Sequence, residues 1–169
     1  MTSNSLNRPK LKIPKTKSEQ VWDIIGYIFY FGSIILLIYV WRMLPEEVPA
    51  HYNGYGEVDR LGSKFELIIL PVISVIILIT MQLLEKNPHV HNYPDRLNES
   101  NAREFYINSR KQLNQLKNIC VIIFSIILFD SVIVALGWGE GFNRWILPII
   151  IVGTILPIVI GLIKQRKIK

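Results

Sequence analysis

The amino-acid sequence predicts an all-α integral membrane protein with four transmembrane helices. Three observations predict it: four long apolar runs, tryptophans at the ends of those runs, and a one-sided distribution of basic residues. Half of the 169 residues are hydrophobic and the mean hydropathy is positive, which is high for a soluble globule. The apolar residues concentrate in runs 24–41, 67–84, 119–137 and 145–163, and the only charged residue inside them is Asp130. At about 1.5 Å per residue each run crosses roughly 27 Å or more, close to the hydrocarbon thickness of a bilayer. A soluble four-helix bundle would need a polar face at helical spacing, and the runs lack one. Trp22, Trp41, Trp138 and Trp145 lie at run ends, where an amphipathic ring prefers the headgroup level.

Charge sets the expected orientation. Fifteen of the nineteen Lys and Arg residues precede the first run, lie between the second and third, or follow the fourth; Arg42, Arg60, Lys64 and Arg144 make up the other side. The positive-inside rule then predicts a multi-pass protein of the cytoplasmic membrane, both termini inside, with an extracellular loop between helices 1 and 2. The net charge of +6 is read as topology, so no nucleic-acid partner is expected; the partner composition demands is the lipid bilayer.

Residues 1–20 are basic and interrupted by Pro9 and Pro14, and are expected to form a disordered cytoplasmic leader held near anionic lipid. The remaining 21–169 form the membrane domain, with helices predicted at about 22–43, 65–84, 118–137 and 145–163. The first run is longer than a typical signal core and no small-x-small cleavage site follows it, so it is read as a retained helix.

Between the first two helices, residues 44–64 are expected to form a compact outer cap. Pro45 and Pro49 restrict the backbone there, while Asn53-Gly54 and Gly56 permit tight turns. Ser63-Lys64-Phe65-Glu66 has the S-x-x-E form of a capping box that starts helix 2. His51, Glu57 and Asp59 are candidates to bind a cation or a cationic peptide; their irregular spacing favours a structural cap whose carboxylates pair with Arg60 or Lys64, and no metal site is assigned.

On the other side, segment 85–117 opens with Asn87-Pro88-His89-Val90-His91-Asn92-Tyr93-Pro94, too rich in proline and turn formers for a regular helix. From Asn101 the spacing changes: Asn101-x-x-Glu104 predicts a cap, and Ala102, Phe105, Ser109, Leu113, Leu116 and Cys120 predict the apolar face of an amphipathic helix. That helix either lies at the interface or extends helix 3 inward. His89-x-His91 near Asp95 invites a metal reading, but a hydrogen-bonding role suits His residues beside prolines better. Asn98-Glu99-Ser100 is a chance sequon if it faces the cytoplasm. The lone Cys120 excludes an intrachain disulfide.

Asp130, about 10 Å below the outer end of its helix, must be protonated, hydrated or paired within the bundle. Ser74 and Thr154 fall at similar depth and are its candidate partners. Pro71, Pro148 and Pro157 are read as kinks rather than as the broken helices of a transporter.

The loop pattern LP-x-x-VP-x-H-x-N-x-x-GE-x-D-x-x-GSK, carried by Leu44, Pro45, Val48, Pro49, His51, Asn53, Gly56, Glu57, Asp59, Gly62, Ser63 and Lys64, resembles the signature of a small bacterial membrane domain of unknown function. That domain lies at the N-terminus of SdpI-type toxin-immunity proteins. The stretch containing Pro88, His89, Asn92, Tyr93 and Pro94, followed by Asn101 and Tyr106, looks like the cytoplasmic pattern of short four-helix members. The resemblance implies protection against a secreted antimicrobial peptide outside and contact with a regulator protein inside. An enzyme is not expected, because no HExxH, GxSxG, paired intramembrane aspartates or phosphate-cradling glycine loop occurs; nor is a cofactor. The alternatives are a small proton-linked transporter using Asp130 and a structural subunit of a larger membrane complex.

Overall fold

A computed structural model describes residues 8–169. Helix α1 (Lys17–Val40) leads into a β-hairpin of β1 (Glu47–Tyr52) and β2 (Val58–Ser63). A 3-10 turn (Lys64–Ile68) opens α2 (Ile69–Lys86), and an irregular connection precedes α3 (Ala102–Ala135). A second 3-10 turn (Asn143–Trp145) then opens α4 (Ile146–Lys167). Among the described residues four helices are thus long and apolar enough to cross a membrane.

The helices do not share burial equally. Of the apolar window in α3, 44% is buried inside the fold, against 17% in α1 and α2 and 6% in α4. Helix α3 is therefore the post on which the other three pack, and most of the remaining apolar surface is available to lipid. At 34 residues it is also longer than a bilayer requires, about 50 Å at 1.5 Å per residue. The extra length comes from residues 102–117, which continue the membrane helix without a break.

Two cores hold the ends. At the hairpin end, Leu37, Val40, Leu44, Val48, Leu67, Leu128 and Val132 cluster between the helix tips and β1. At the other end, where the described chain enters and leaves, Ala102, Phe105 and Tyr106 pack with Ile13, Tyr93, Leu97 and Ile168.

Three expectations change. The loop 44–64 is not only turns: its backbone pairs antiparallel, Glu47 with Ser63 through Tyr52 with Val58, with register shifts around His51. The leader was expected to be disordered, yet residues 8–16 form an ordered strap; its first seven residues lie outside the described residues. Arg8 donates to the carbonyls of His91 (2.6 Å) and His89 (3.3 Å), and the carbonyls of Ile13 and Pro14 accept from Arg110 at 2.6 and 2.8 Å. Its backbone polar groups have found partners that a free leader would take from water.

The third change concerns the face of α3. Ala102 and Phe105 are buried as expected, but the buried stripe then continues through Arg110, Asn114, Lys117, Asn118 and Val121 rather than Leu113, Leu116 and Cys120. These polar side chains turn inward because their partners, Glu19 and Asp23 of α1 and Glu85 of α2, lie there, and buried polar groups need such partners.

Candidate functional site

The hairpin is a fixed platform. Val48 of β1 packs into the apolar cluster with α1 and α3, Pro49 beside it is also buried, and the Tyr52 hydroxyl meets Ser131 Oγ of α3 at 3.2 Å. Burial drives the Tyr52 phenol well above its ordinary value, with Asp130 adding to the effect. Pro45 lies exposed just before β1. Asn53 builds the turn: its Oδ1 accepts from the amides of Tyr55 (2.9 Å) and Glu57 (3.0 Å), and its amide donates to Glu57 Oε2 (2.9 Å). Gly56 follows with φ of 81°. This Asx-type wiring explains why Asn occupies the first turn position.

Across the strands His51 Nδ1 meets Asp59 Oδ1 at 2.6 Å, and both side chains are exposed. Lys64 bonds Glu46 at 2.9 Å beneath the Trp41 ring. At Gly62 a Cβ would lie 2.8 Å from Ala50 Cβ and would strike the Glu66 carboxylate. Ser63 does cap the next turn, its Oγ accepting from the Phe65 amide at 3.4 Å. Glu66, expected to close a capping box, has Arg60 as its side-chain partner at 2.9 Å, because the hairpin brings that guanidinium over the helix start. Glu57 and Asp59 are both exposed, and among the described residues no group of three His, Cys, Asp or Glu could hold a metal.

Asp130 is fully buried, but Ser74 and Thr154 are not its partners. Each hydroxyl bonds back to its own helix, Ser74 to the Leu70 carbonyl (2.8 Å) and Thr154 to Ile150 (2.7 Å), which satisfies it without crossing the bundle. Asp130 Oδ1 instead accepts from the Phe142 amide in the α3–α4 connection, and Oδ2 has no hydrogen-bond partner among the described residues. Gly141 makes this possible: its φ is +72°, and a Cβ there would lie 2.6 Å from Asp130 Oδ1. The connection folds down over the carboxylate.

At the opposite end the Pro88–Tyr93 stretch is wired locally. Pro88 is buried, and its carbonyl accepts from Tyr93 Oη at 2.8 Å. His91 bridges two helices, with Nε2 donating to the Leu84 carbonyl (3.0 Å) and Nδ1 accepting from Ser109 Oγ (2.7 Å). Burial first, and the neighbouring His89, hold His91 below its ordinary value, and both ring nitrogens are engaged in hydrogen bonds between the helices. Tyr93 packs against Phe105 and Tyr106 under the Arg8 guanidinium, and burial pushes its phenol up to about 12. Pro94 closes a turn with Leu97, His89 is half-buried and Asn92 is exposed. Asn101 does not cap α3 with its side chain. Its Oδ1 accepts from the Asn98 amide (2.8 Å), while Nδ2 donates to the carbonyls of Arg96 and Lys169, both at 3.0 Å. Asn101 thus ties the chain end to the α2–α3 connection.

The largest polar assembly was not singled out from the sequence. Lys117, fully buried, places Nζ 2.8 Å from Asp23 and 2.7 Å from Glu85. Lys15 of the strap reaches the same two carboxylates at 2.6 and 3.2 Å. Arg110 forks onto Glu19 at 2.7 and 3.1 Å, and Asn114 and Asn118 donate to Asp23 at 2.8 and 3.1 Å. Three cations face three carboxylates, so the cluster is neutral as a whole. Burial works against the charge on Lys15, yet Asp23 and Glu85 outweigh it and hold the ammonium above its ordinary value. Two signals could have revealed this lock: Glu19 and Asp23 share a face at i, i+4, and Arg110, Asn114, Lys117 and Asn118 share one at i, i+4, i+7, i+8.

Comparison with known proteins bears on the hairpin. Residues 28–75, from mid-α1 through the hairpin into α2, match a family model described as a domain of unknown function, DUF1648. Over 107 residues the chain is 32% identical to an uncharacterised protein of Archaeoglobus fulgidus, a match covering 58% of this chain and 54% of that protein. The chain therefore spans about half the length of the curated relative it matches. No solved structure matches. Through its first two helices and their hairpin the chain is similar to a domain of unknown function, set here in a fold with four helices of membrane-crossing length.

Proposed function

We propose that this chain is a non-enzymatic protein of the cytoplasmic membrane, with both termini inside, that recognises a secreted peptide at its outward hairpin. The orientation rests on the charge asymmetry: fifteen basic residues lie in 8–17, in 86–117 or in 164–169, all at the terminal end of the bundle. The observation that carries the recognition role is the rigidity of the platform. A two-stranded sheet seated through Val48 and Tyr52 holds His51, Glu57 and Asp59 exposed, and carboxylates held so are suited to a cationic peptide. The resemblance of the loop to SdpI-type immunity proteins implies the same ligand class and a regulator docked on the inner face.

The test compares cells with the gene, without it, and with Glu57→Ala/Asp59→Ala, challenged with cationic membrane-active peptides at matched protein levels. Selective sensitivity of both the deletion and the double variant is expected. Equal survival of all three strains removes the immunity role.

A second reading, proton-linked transport, has one observation in its favour: the buried Asp130 Oδ2, without a hydrogen-bond partner among the described residues. Ion-dependent uptake into proteoliposomes that vanishes in Asp130→Asn would select it over recognition, which predicts no uptake in either protein.

A further inference from the structure

A cavity of about 520 Å³ opens at the terminal end between the strap and the last turn of α2. Its wall carries Lys12, Lys15, Lys86 and Arg110 against a single carboxylate, Glu85. Lys15 and Arg110 are committed to the ionic lock, and Glu85 is held there by Lys117 and Lys15. Lys12 and Lys86 have no ion-pair partner among the described residues, and they face the cavity from two different segments. The wall is therefore net positive, with two ammonium groups left to attract an anion.

Its position narrows the anion. Lys86 is the last residue of α2, so the cavity sits where a membrane span ends, at the level of lipid headgroups. Leu11 and Pro88 give the same wall an apolar side. Ammonium groups are compact donors suited to a phosphate oxygen, and a phosphate esterified to glycerol would set its uncharged portion against the apolar side.

We propose that this cavity binds a phosphate group, supplied by an anionic lipid headgroup or by a soluble phosphate, that bridges Lys12 of the strap and Lys86 of α2. The inference requires that the helices cross a bilayer and is independent of the hairpin's role. A bound phosphate would couple the strap to the bundle at a second point beside the lock.

The full chain is placed in nanodiscs of phosphatidylcholine, with or without phosphatidylglycerol, and the melting temperature is read for each. Phosphatidylglycerol is expected to raise the melting temperature by a few degrees, since a ligand of the folded state stabilises it by mass action. Lys12→Gln/Lys86→Gln should abolish the rise, whereas Lys10→Gln/Arg103→Gln, which removes the same charge elsewhere, should retain it. Because each variant is compared with itself in two lipids, a general loss of stability cancels. Adding inorganic phosphate to the phosphatidylcholine discs separates the sources: a rise with phosphate and none with phosphatidylglycerol assigns the site to a soluble anion, and the reverse assigns it to lipid. No rise with either, or equal loss in both variants, overturns the proposal.

Discussion

The two ends of the bundle use ion pairs in opposite ways. At the hairpin end the pairs His51–Asp59, Arg60–Glu66 and Lys64–Glu46 lie on the surface, joining residues close in the chain, and the end is held by the apolar cluster around Val48 and Val132. At the terminal end Arg110–Glu19 and Lys117–Glu85 are almost wholly enclosed and tie α3 to α1 and α2. Water screens the first set and leaves it worth little. Little solvent reaches the second, so loss of one member strands its partner. The difference teaches that charge at the hairpin is displayed, and charge at the terminal end is structural.

The largest effect should come from stranding a charge in the lock. Lys117→Met leaves Asp23 and Glu85 with Lys15 alone, and should cost about 3–5 kcal/mol, as breaking a buried pair does; chemical unfolding in mild detergent measures it. A loss near zero would make the two ends alike.

Gly62→Ala probes the hairpin by shape instead of charge. The added methyl has no room beside Ala50 and the Glu66 carboxylate, and forcing it in should cost about 1–3 kcal/mol. Protease protection of residues 44–64 should fall with it while the terminal end stays protected.

Acid gives a smaller effect confined to the terminal end. The native His91 value is lowered from 6.5, so below that pH the unfolded chain binds more protons than the folded one. Its contribution is complete above pH 6.5 and declines as the pH falls through and below it. The stability difference between the native protein and His91→Asn should therefore shrink from about pH 7.5 to about pH 5.5, and a difference independent of pH would contradict this role. Smallest of all, Asp59→Asn removes only an exposed partner of His51 and should leave unfolding unchanged; a large loss would show that hairpin charge is structural after all.

Helix number was legible because apolar length is a strong signal. Helix ends were less so: α3 begins at Ala102, not near residue 118. Of the two readings of residues 102–117, an interfacial helix or an inward extension of helix 3, the structure shows the extension. Its face was assigned by apolar periodicity, with Leu113 and Leu116 inside, whereas Lys117 turns inward to the carboxylates of Asp23 and Glu85 on the neighbouring helices. The hairpin left a trace in Asn53-Gly54, but Pro49 in β1 and the register shifts around His51 hide the two-residue alternation of a strand. Asp130 stood out as a buried carboxyl. Its partner did not, because a backbone amide, that of Phe142, has no signature in the sequence.

The most direct measurement is a double-mutant cycle on Lys117→Met and Glu85→Gln, by unfolding in mild detergent. Each single change leaves the lock with an unbalanced charge; together they remove one cation and one anion and restore neutrality. If the lock is a charge-balanced structural unit, the double variant will be more stable than the two single losses summed by at least about 1.5 kcal/mol. Losses that add to within about 0.5 kcal/mol would contradict it, and would place these charges among the weak surface pairs of the hairpin end.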